Sequence, residues 1–281
     1  GEKFMEGFLN SFVNQLNRDN HELIIIDADS PENEMAIAQP YWEKYPNIKY
    51  LRLKEKTTTM EAFNIATDMA TGEYIALCMI DDRITNYHLD FLSQRLALWP
   101  HIDLVYGDTL VTNKPNDVYS SDNRLPRFEH SKESFTKEGM IKNLPGPVPM
   151  YRKSMHYKIG GYRKEILHAG DWEFYLRAVK NGCRFKKLDK TVGLYYDNPD
   201  GLSTTSDLEI TKTRRKSEQK IFEEYKDIFG SKVYNQFKSY FDQWMDVYYD
   251  DTTWTSFNVL LYCSWTLQSS NRINKLSSLC T

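Results

Sequence analysis

Three short apolar runs, ELIIID at 22–27, IKYLRL at 48–53 and YIALCMI at 74–80, are separated by stretches of helical period. Runs this short and continuous read as strands, and no other feature limits the possible folds as much. Residues 2–16 place Phe4, Met5, Phe8, Leu9, Phe12, Val13 and Leu16 at helical spacing, which makes an amphipathic helix facing a core. Ser30 and Pro31 read as the N-cap and first position of a second helix, running to Tyr45 and stopping before Pro46. Thr58 and Glu61 have capping-box spacing, and Ala62, Phe63, Ala66, Met69 and Ala70 continue that helix to Gly72. Alternation of this kind predicts an α/β chain with a mostly parallel central sheet flanked by helices.

Further along, residues 87–98 predict a helix closed by Pro100, and Ile102–Tyr106 a strand. Residues 113–147 lose periodicity, and a loop of that length in a compact domain is expected to be a flap near a site. Residues 148–161 read as a short strand, a turn of helix and a Gly160-Gly161 turn; 171–181 read as a helix with Trp172, Leu176 and Val179 inward. Two strands follow, at 184–187 and 192–196, and then helices at 206–228, 232–248 and 254–276. The expected organisation is one α/β domain over 1–205 and a C-terminal helical extension over 206–281.

The net charge of −3 gives no electrostatic reason to expect a nucleic-acid partner. Arg214, Arg215 and Lys216 make a short basic cluster that reads as a solvated helix face. Four cysteines without metal-ligand spacing fit a reducing compartment, and no leader is legible at the start. The most apolar late segment, 257–267, is too short to span a bilayer. The expectation is a cytoplasmic chain, with peripheral contact at a membrane left open.

The chemistry concentrates where the third apolar run stops, at Asp81 and Asp82. Carboxylates at the carboxyl end of a strand lie where open α/β sheets bind ligands. On an extended strand the two point to opposite sides, so one suits a divalent cation and its neighbour a ribose hydroxyl. The plainer reading of the pair is a strand end entering a polar turn. Asp171 opens its helix after Gly170, and by itself reads as an N-cap or first-turn charge worth about 1 kcal/mol. Asp27 and Asp29 sit in a DADS segment that is either a ligand-facing loop or a helix-entry turn.

Taken in order, HELIIIDADSPEN, MEAFNIATDMATGEYIALCMIDDR, GGYRKE, HAGDWEFYLR and GLYYDNPDGLSTT resemble the family 2 glycosyltransferases over roughly residues 1–205. These are inverting enzymes with the GT-A nucleotide-sugar fold, and the resemblance implies a glycosyltransferase of hexosyltransferase type. It implies that Asp27, with Asp29 adjacent, and Asn64 belong to the nucleotide pocket. Asp82 would ligate Mn²⁺ or Mg²⁺, Asp81 would serve the ribose or the metal, and Asp171 would be the catalytic base. Further implications are a UDP-sugar donor, a glycan, lipid-linked or protein-linked acceptor, and a place in polysaccharide biosynthesis. The chain departs from the family pattern at Ala28 and Met79, where many relatives carry acids, and it has no histidine after His168 to complete a metal site. It also shows no strand ahead of its first helix, so the sheet position beside Leu23–Ile26 is expected to be empty or filled from elsewhere. The rival reading is a non-catalytic domain, derived from such an enzyme, that binds sugar nucleotides or partners.

Overall fold

A computed structural model describes residues 1–120, 127–128 and 135–247. The chain divides into two compact units, residues 1–231 and 232–281, and every residue of the candidate site lies in the first. The helix expected at 254–276 lies outside the described residues.

Helix α1 (Glu2–Val13) buries Phe4, Met5, Leu9 and Phe12, as its apolar stripe requires. It stops before Leu16 because the Gln15 side chain leaves the helix to bond the Thr85 carbonyl at 2.8 Å and the Leu89 N–H at 3.2 Å. A strand–helix–strand unit follows: β1 (Leu23–Asp27), α2 (Glu34–Lys44) and β2 (Ile48–Arg52). The strands pair in parallel from Leu23↔Ile48 to Asp27↔Arg52, a register that sets Arg52 beside Asp27. Helix α2 begins at Glu34, later than Ser30-Pro31 predicts. The Ser30 N–H is taken by Asp27 Oδ1 at 2.8 Å and its hydroxyl by Glu34 Oε1 at 2.7 Å, so the segment folds as a side-chain-closed turn instead. Helix α3 (Thr59–Met69) starts at the expected cap, with Thr58 Oγ1 accepting the Glu61 N–H at 3.2 Å.

Strand β3 (Tyr74–Ala76) is shorter than its apolar run and pairs antiparallel with β7 (Met150–Arg152). Pairing ends there, so Leu77–Asp82 is loop and turn, and Asp81 and Asp82 do not alternate as strand residues would. The remaining elements are β4 (Arg83–Ile84), α4 (His88–Leu98), β5 (Leu104–Thr112), β6 (Arg127–Phe128), α5 (Lys153–Ile159), α6 (Gly170–Lys180), β8 (Phe185–Tyr196), α7 (Leu208–Glu224) and α8 (Lys226–Val247). Helix α8 is interrupted at Gly230 (φ 69°, ψ 152°). The larger sheet has the order β3-β7-β5-β8-β4, with β6 beside β5. The long registers, β1–β2 and β5–β8, are parallel, while the antiparallel joins are short. The two strands expected at 184–187 and 192–196 are one strand, β8. Its middle stays in the sheet through an irregular register at Tyr106–Asp108, where a Cβ on Gly107 would lie 2.4 Å from the Lys190 carbonyl oxygen.

Successive residues of β7 divide the core. Met150 joins Val105, Val192, Leu92, Leu96 and the α1 side chains on one face. Tyr151 points the other way, its ring 5.4 Å from Phe174 of α6. Among the described residues β1 pairs only with β2. The Glu22 carboxylate ties the start of β1 to the start of β3, accepting from Thr71 Oγ1 at 2.8 Å and Gly72 N–H at 3.0 Å.

Candidate active site

Asp81 and Asp82 close the turn between β3 and β4, where the Asp82 N–H returns to the Met79 carbonyl at 3.1 Å. Asp82 is 2% exposed, and its Oδ1 accepts the Tyr196 N–H at the end of β8 at 3.1 Å. Burial, and after it the neighbouring Asp81, push its carboxyl well above the ordinary range. Asp81 Oδ2 accepts from Asn198 Nδ2 at 3.1 Å, so the segment after β8 covers the acid pair. Arg83 is 4% exposed. Its guanidinium donates to the carbonyls of Ile80 (2.9 Å), Asp82 (2.6 Å) and Phe4 (3.2 Å) and to Asn116 Oδ1, fastening the turn to α1.

Each of the two acids keeps one oxygen outside these bonds. A buried carboxylate beside a second carboxylate is a donor pair whose mutual repulsion a hard dication relieves, and it fits Mg²⁺ or Mn²⁺. Among the described residues no group of three or more His, Cys, Asp and Glu gathers to hold a metal, so phosphate oxygens and water would supply the remaining ligands.

Asp27, at the end of β1, is 6% exposed and already engaged. Oδ2 accepts the Tyr50 hydroxyl at 2.7 Å and Arg52 Nη1 at 2.9 Å, while Oδ1 holds the Ser30 N–H. Arg52 also reaches Asp29 at 3.1 Å, and Asp29 takes a left-handed backbone (φ 60°). Asn64 stands on α3 with both ends of its amide on the backbone of one residue: Nδ2 donates to the Tyr162 carbonyl and Oδ1 accepts the Tyr162 N–H, each at 2.8 Å. Gly160 and Gly161 make the turn before it with φ of 88° and 70°, and a Cβ on Gly161 would sit 2.8 Å from Asn64 Oδ1. The Tyr162 ring then stacks on Phe174 of α6 at 4.0 Å.

Asp171 occupies the first turn of α6, and Gly170 before it has no room for a Cβ, which would lie 2.4 Å from Met60 Sδ on α3. Asp171 Oδ2 accepts Asn143 Nδ2 at 2.9 Å. Burial raises its carboxyl above the ordinary value, against the opposing pull of Asn143 and of the backbone N–H groups of Trp172 and of Asp171 itself. Trp172 is a core residue, its Nε1 donating to the Met140 carbonyl at 2.7 Å. Glu173 is fully buried, gripped by Arg177 at 2.8 Å and by the Tyr225 hydroxyl at 2.6 Å, and serves packing rather than an acceptor pocket.

Arg214 donates to the Ser203 carbonyl in the segment that covers Asp81, and pairs with Glu218 at 3.9 Å. The Tyr195 phenol, raised chiefly by burial, is within charge reach of Asp82, Asp197, Asp81 and Arg214. His168, lowered chiefly by burial, is within reach of Arg214 and Glu218, and Glu218 is within reach of Asp171. Arg214, which reads from sequence as part of a solvated face, is instead half-buried against the segment after β8, its side chain 16% exposed. Asn143 carried no sequence signal beyond its place in the aperiodic 113–147 stretch.

A twisted α/β sheet with acids at its strand ends and helices on both faces is the architecture of a nucleotide-binding transferase. The sequence profile of glycosyl transferase family 2 matches residues 1–160, and the chain belongs to that family. The match ends before Asp171. The chain is 25% identical over 191 residues to the uncharacterized glycosyltransferase YwdF of Bacillus subtilis, covering 67% of this chain and 68% of that protein. It is 25% identical over 221 residues to a chondroitin synthase of Escherichia coli, covering 67% of this chain and 32% of that protein. In fold it is similar to Staphylococcus aureus TarS 1–349 in complex with UDP-GlcNAc (TM-score 0.60, 20% identity, 81% of this chain and 67% of that one). It is likewise similar to the mannosyltransferase PcManGT of Pyrobaculum calidifontis in complex with GDP-Man and Mn²⁺ (TM-score 0.59, 17% identity, 80% and 60%). The family and the named relatives make the protein an enzyme of glycosyltransferase type. Among the described residues no helix is long and apolar enough to cross a membrane.

Proposed function

We propose that this enzyme transfers a hexose from a UDP-linked donor to a hydroxyl of a glycan carried on lipid or protein, with inversion at the anomeric carbon. The reading rests on one observation: in a chain of glycosyl transferase family 2, Asp82 in the turn after β3 and Asp171 at the start of α6 are acids whose carboxyls burial raises. TarS, with its bound UDP-GlcNAc, supports a nucleotide-sugar donor, and PcManGT, with GDP-Man and Mn²⁺, supports a metal beside it.

In this scheme Asp171 takes the proton of the acceptor hydroxyl as its oxygen bonds to the anomeric carbon. The bond from that carbon to the diphosphate breaks, and its electron pair leaves with the phosphate. A carboxylate whose pKa burial has raised is a better proton acceptor than an exposed one, and such help is typically worth about 10²–10⁴-fold in rate. Asp82, with Asp81, would hold Mg²⁺ or Mn²⁺, which would offset negative charge on the departing diphosphate. Asp81 also serves the ribose. Asp27 and Asp29, cross-linked by Arg52, form the wall of the nucleobase pocket. Residues 1–205 carry this chemistry.

The test is Asp171→Asn, which keeps the shape and removes the base. Release of UDP from UDP-GlcNAc, UDP-glucose and UDP-galactose should fall by about 10²-fold or more, with UDP affinity unchanged. Full turnover in the variant would refute the assignment.

A further inference from the structure

Asn143 ends a single turn of 3₁₀ helix, Glu138–Lys142, in the left-handed region (φ 50°, ψ 55°). Glycine adopts that conformation without penalty, and asparagine is among the few other residues that tolerate it. The side chain does not cap its own turn. It reaches 28 residues along the chain to donate from Nδ2 to Asp171 Oδ2 at 2.9 Å, while its own Oδ1 is buried with no hydrogen-bond partner. A buried polar atom left unpartnered needs a reason, and here the donor end of the same amide supplies one. The segment is held against α6 at a second point, where the Met140 carbonyl accepts Trp172 Nε1 at 2.7 Å.

We propose that Asn143 is a positioning residue for the base: it commits Oδ2 of Asp171 to the amide and leaves the other carboxylate oxygen to take the acceptor's proton. This rests on the reading of Asp171 as the base. Among the described residues the groups within charge or hydrogen-bond reach of Asp171 are Glu218 from α7, the phenols of Tyr162 and Tyr175, the backbone N–H groups of Asp171 and Trp172, and Asn143. Burial and Glu218 favour the protonated acid, and Asn143 is the strongest of the groups that oppose them. The amide therefore keeps the base ionised at lower pH as well as fixing its rotamer.

The experiment follows the Asp171 carboxyl directly, so it needs no knowledge of the sugar. In the full chain with ¹³C-labelled aspartate, the Asp171 carboxyl signal is assigned by its absence in Asp171→Asn and titrated with pH. Asn143→Gly keeps the left-handed backbone and deletes the amide, and the Asp171 pKa should rise by about one unit. Asn143→Asp sets a carboxylate against Asp171 and should raise it further, and this variant carries the test if the glycine chain does not fold. An unmoved titration in the folded variant overturns the inference. A raised titration together with an active Asp171→Asn, assayed by UDP release from UDP-GlcNAc, overturns it as well, through the base assignment. An unmoved titration with an inactive Asp171→Asn removes Asn143 alone and leaves the base standing.

Discussion

Replacing Asn64 by alanine separates a structural clamp from a nucleotide ligand. The amide makes two hydrogen bonds of 2.8 Å to the backbone N–H and carbonyl of Tyr162, a residue 3% exposed. Alanine leaves a backbone N–H and a carbonyl unpaired, at about 1–3 kcal/mol each, or about 2–6 kcal/mol together. The site is only partly buried, so water recovers some of this and the expected loss is about 2–3 kcal/mol. Asn64→Asp should lose a similar amount, because it keeps the acceptor for the N–H but turns a second oxygen toward the Tyr162 carbonyl. The assay is urea unfolding followed by tryptophan fluorescence, read at the midpoint with the slope held, beside calorimetric titration of UDP into each variant. The clamp predicts an earlier midpoint with UDP affinity retained wherever the chain is folded. A midpoint within about 0.5 kcal/mol of the parent, combined with lost UDP binding, would refute the structural argument and return Asn64 to the nucleotide.

Two further outcomes are expected. Asp82→Ala should abolish the Mn²⁺-dependent part of UDP binding in calorimetry, and identical metal dependence in parent and variant would remove the acid pair from the metal. Glu22 gives a stability that depends on pH. Burial alone would raise its pKa, but the Lys49 ammonium and the Thr71 and Gly72 donors bring it down from 4.5 to about 2. A group depressed in the folded state stabilises above its unfolded pKa, and that contribution fades as pH falls from about 4.5 toward 2. Thermal unfolding should therefore show a shallower loss across this window in Glu22→Gln than in the parent, and parallel curves would contradict it.

The helices were legible where the signal is local. The stripe of α1, the Thr58 cap of α3 and the paired left-handed glycines at 160–161 all depend on residues within one or two turns of each other, so their spacing alone specifies them. The strands were legible as apolar runs but not in extent or partner. Strand β3 ends at Ala76 because β7 pairs with only three of its residues, and β8 runs unbroken through Leu188–Thr191 because a glycine in β5 admits the Lys190 carbonyl. Pairing is a property of two segments, and neither records it alone.

The sequence by itself determined the family, the strand–helix alternation and the acids that carry the proposed chemistry, because each is a matter of residue type at short spacing. Only the tertiary structure decided what surrounds those acids. It buried Arg83, and it joined Asn64 to Tyr162, 98 residues away. It also carried Asn143 to Asp171, 28 residues away. Side chains so distant in the chain meet through the packing of helices on the sheet, and burial, which shifts the acid pKa values, comes from that packing.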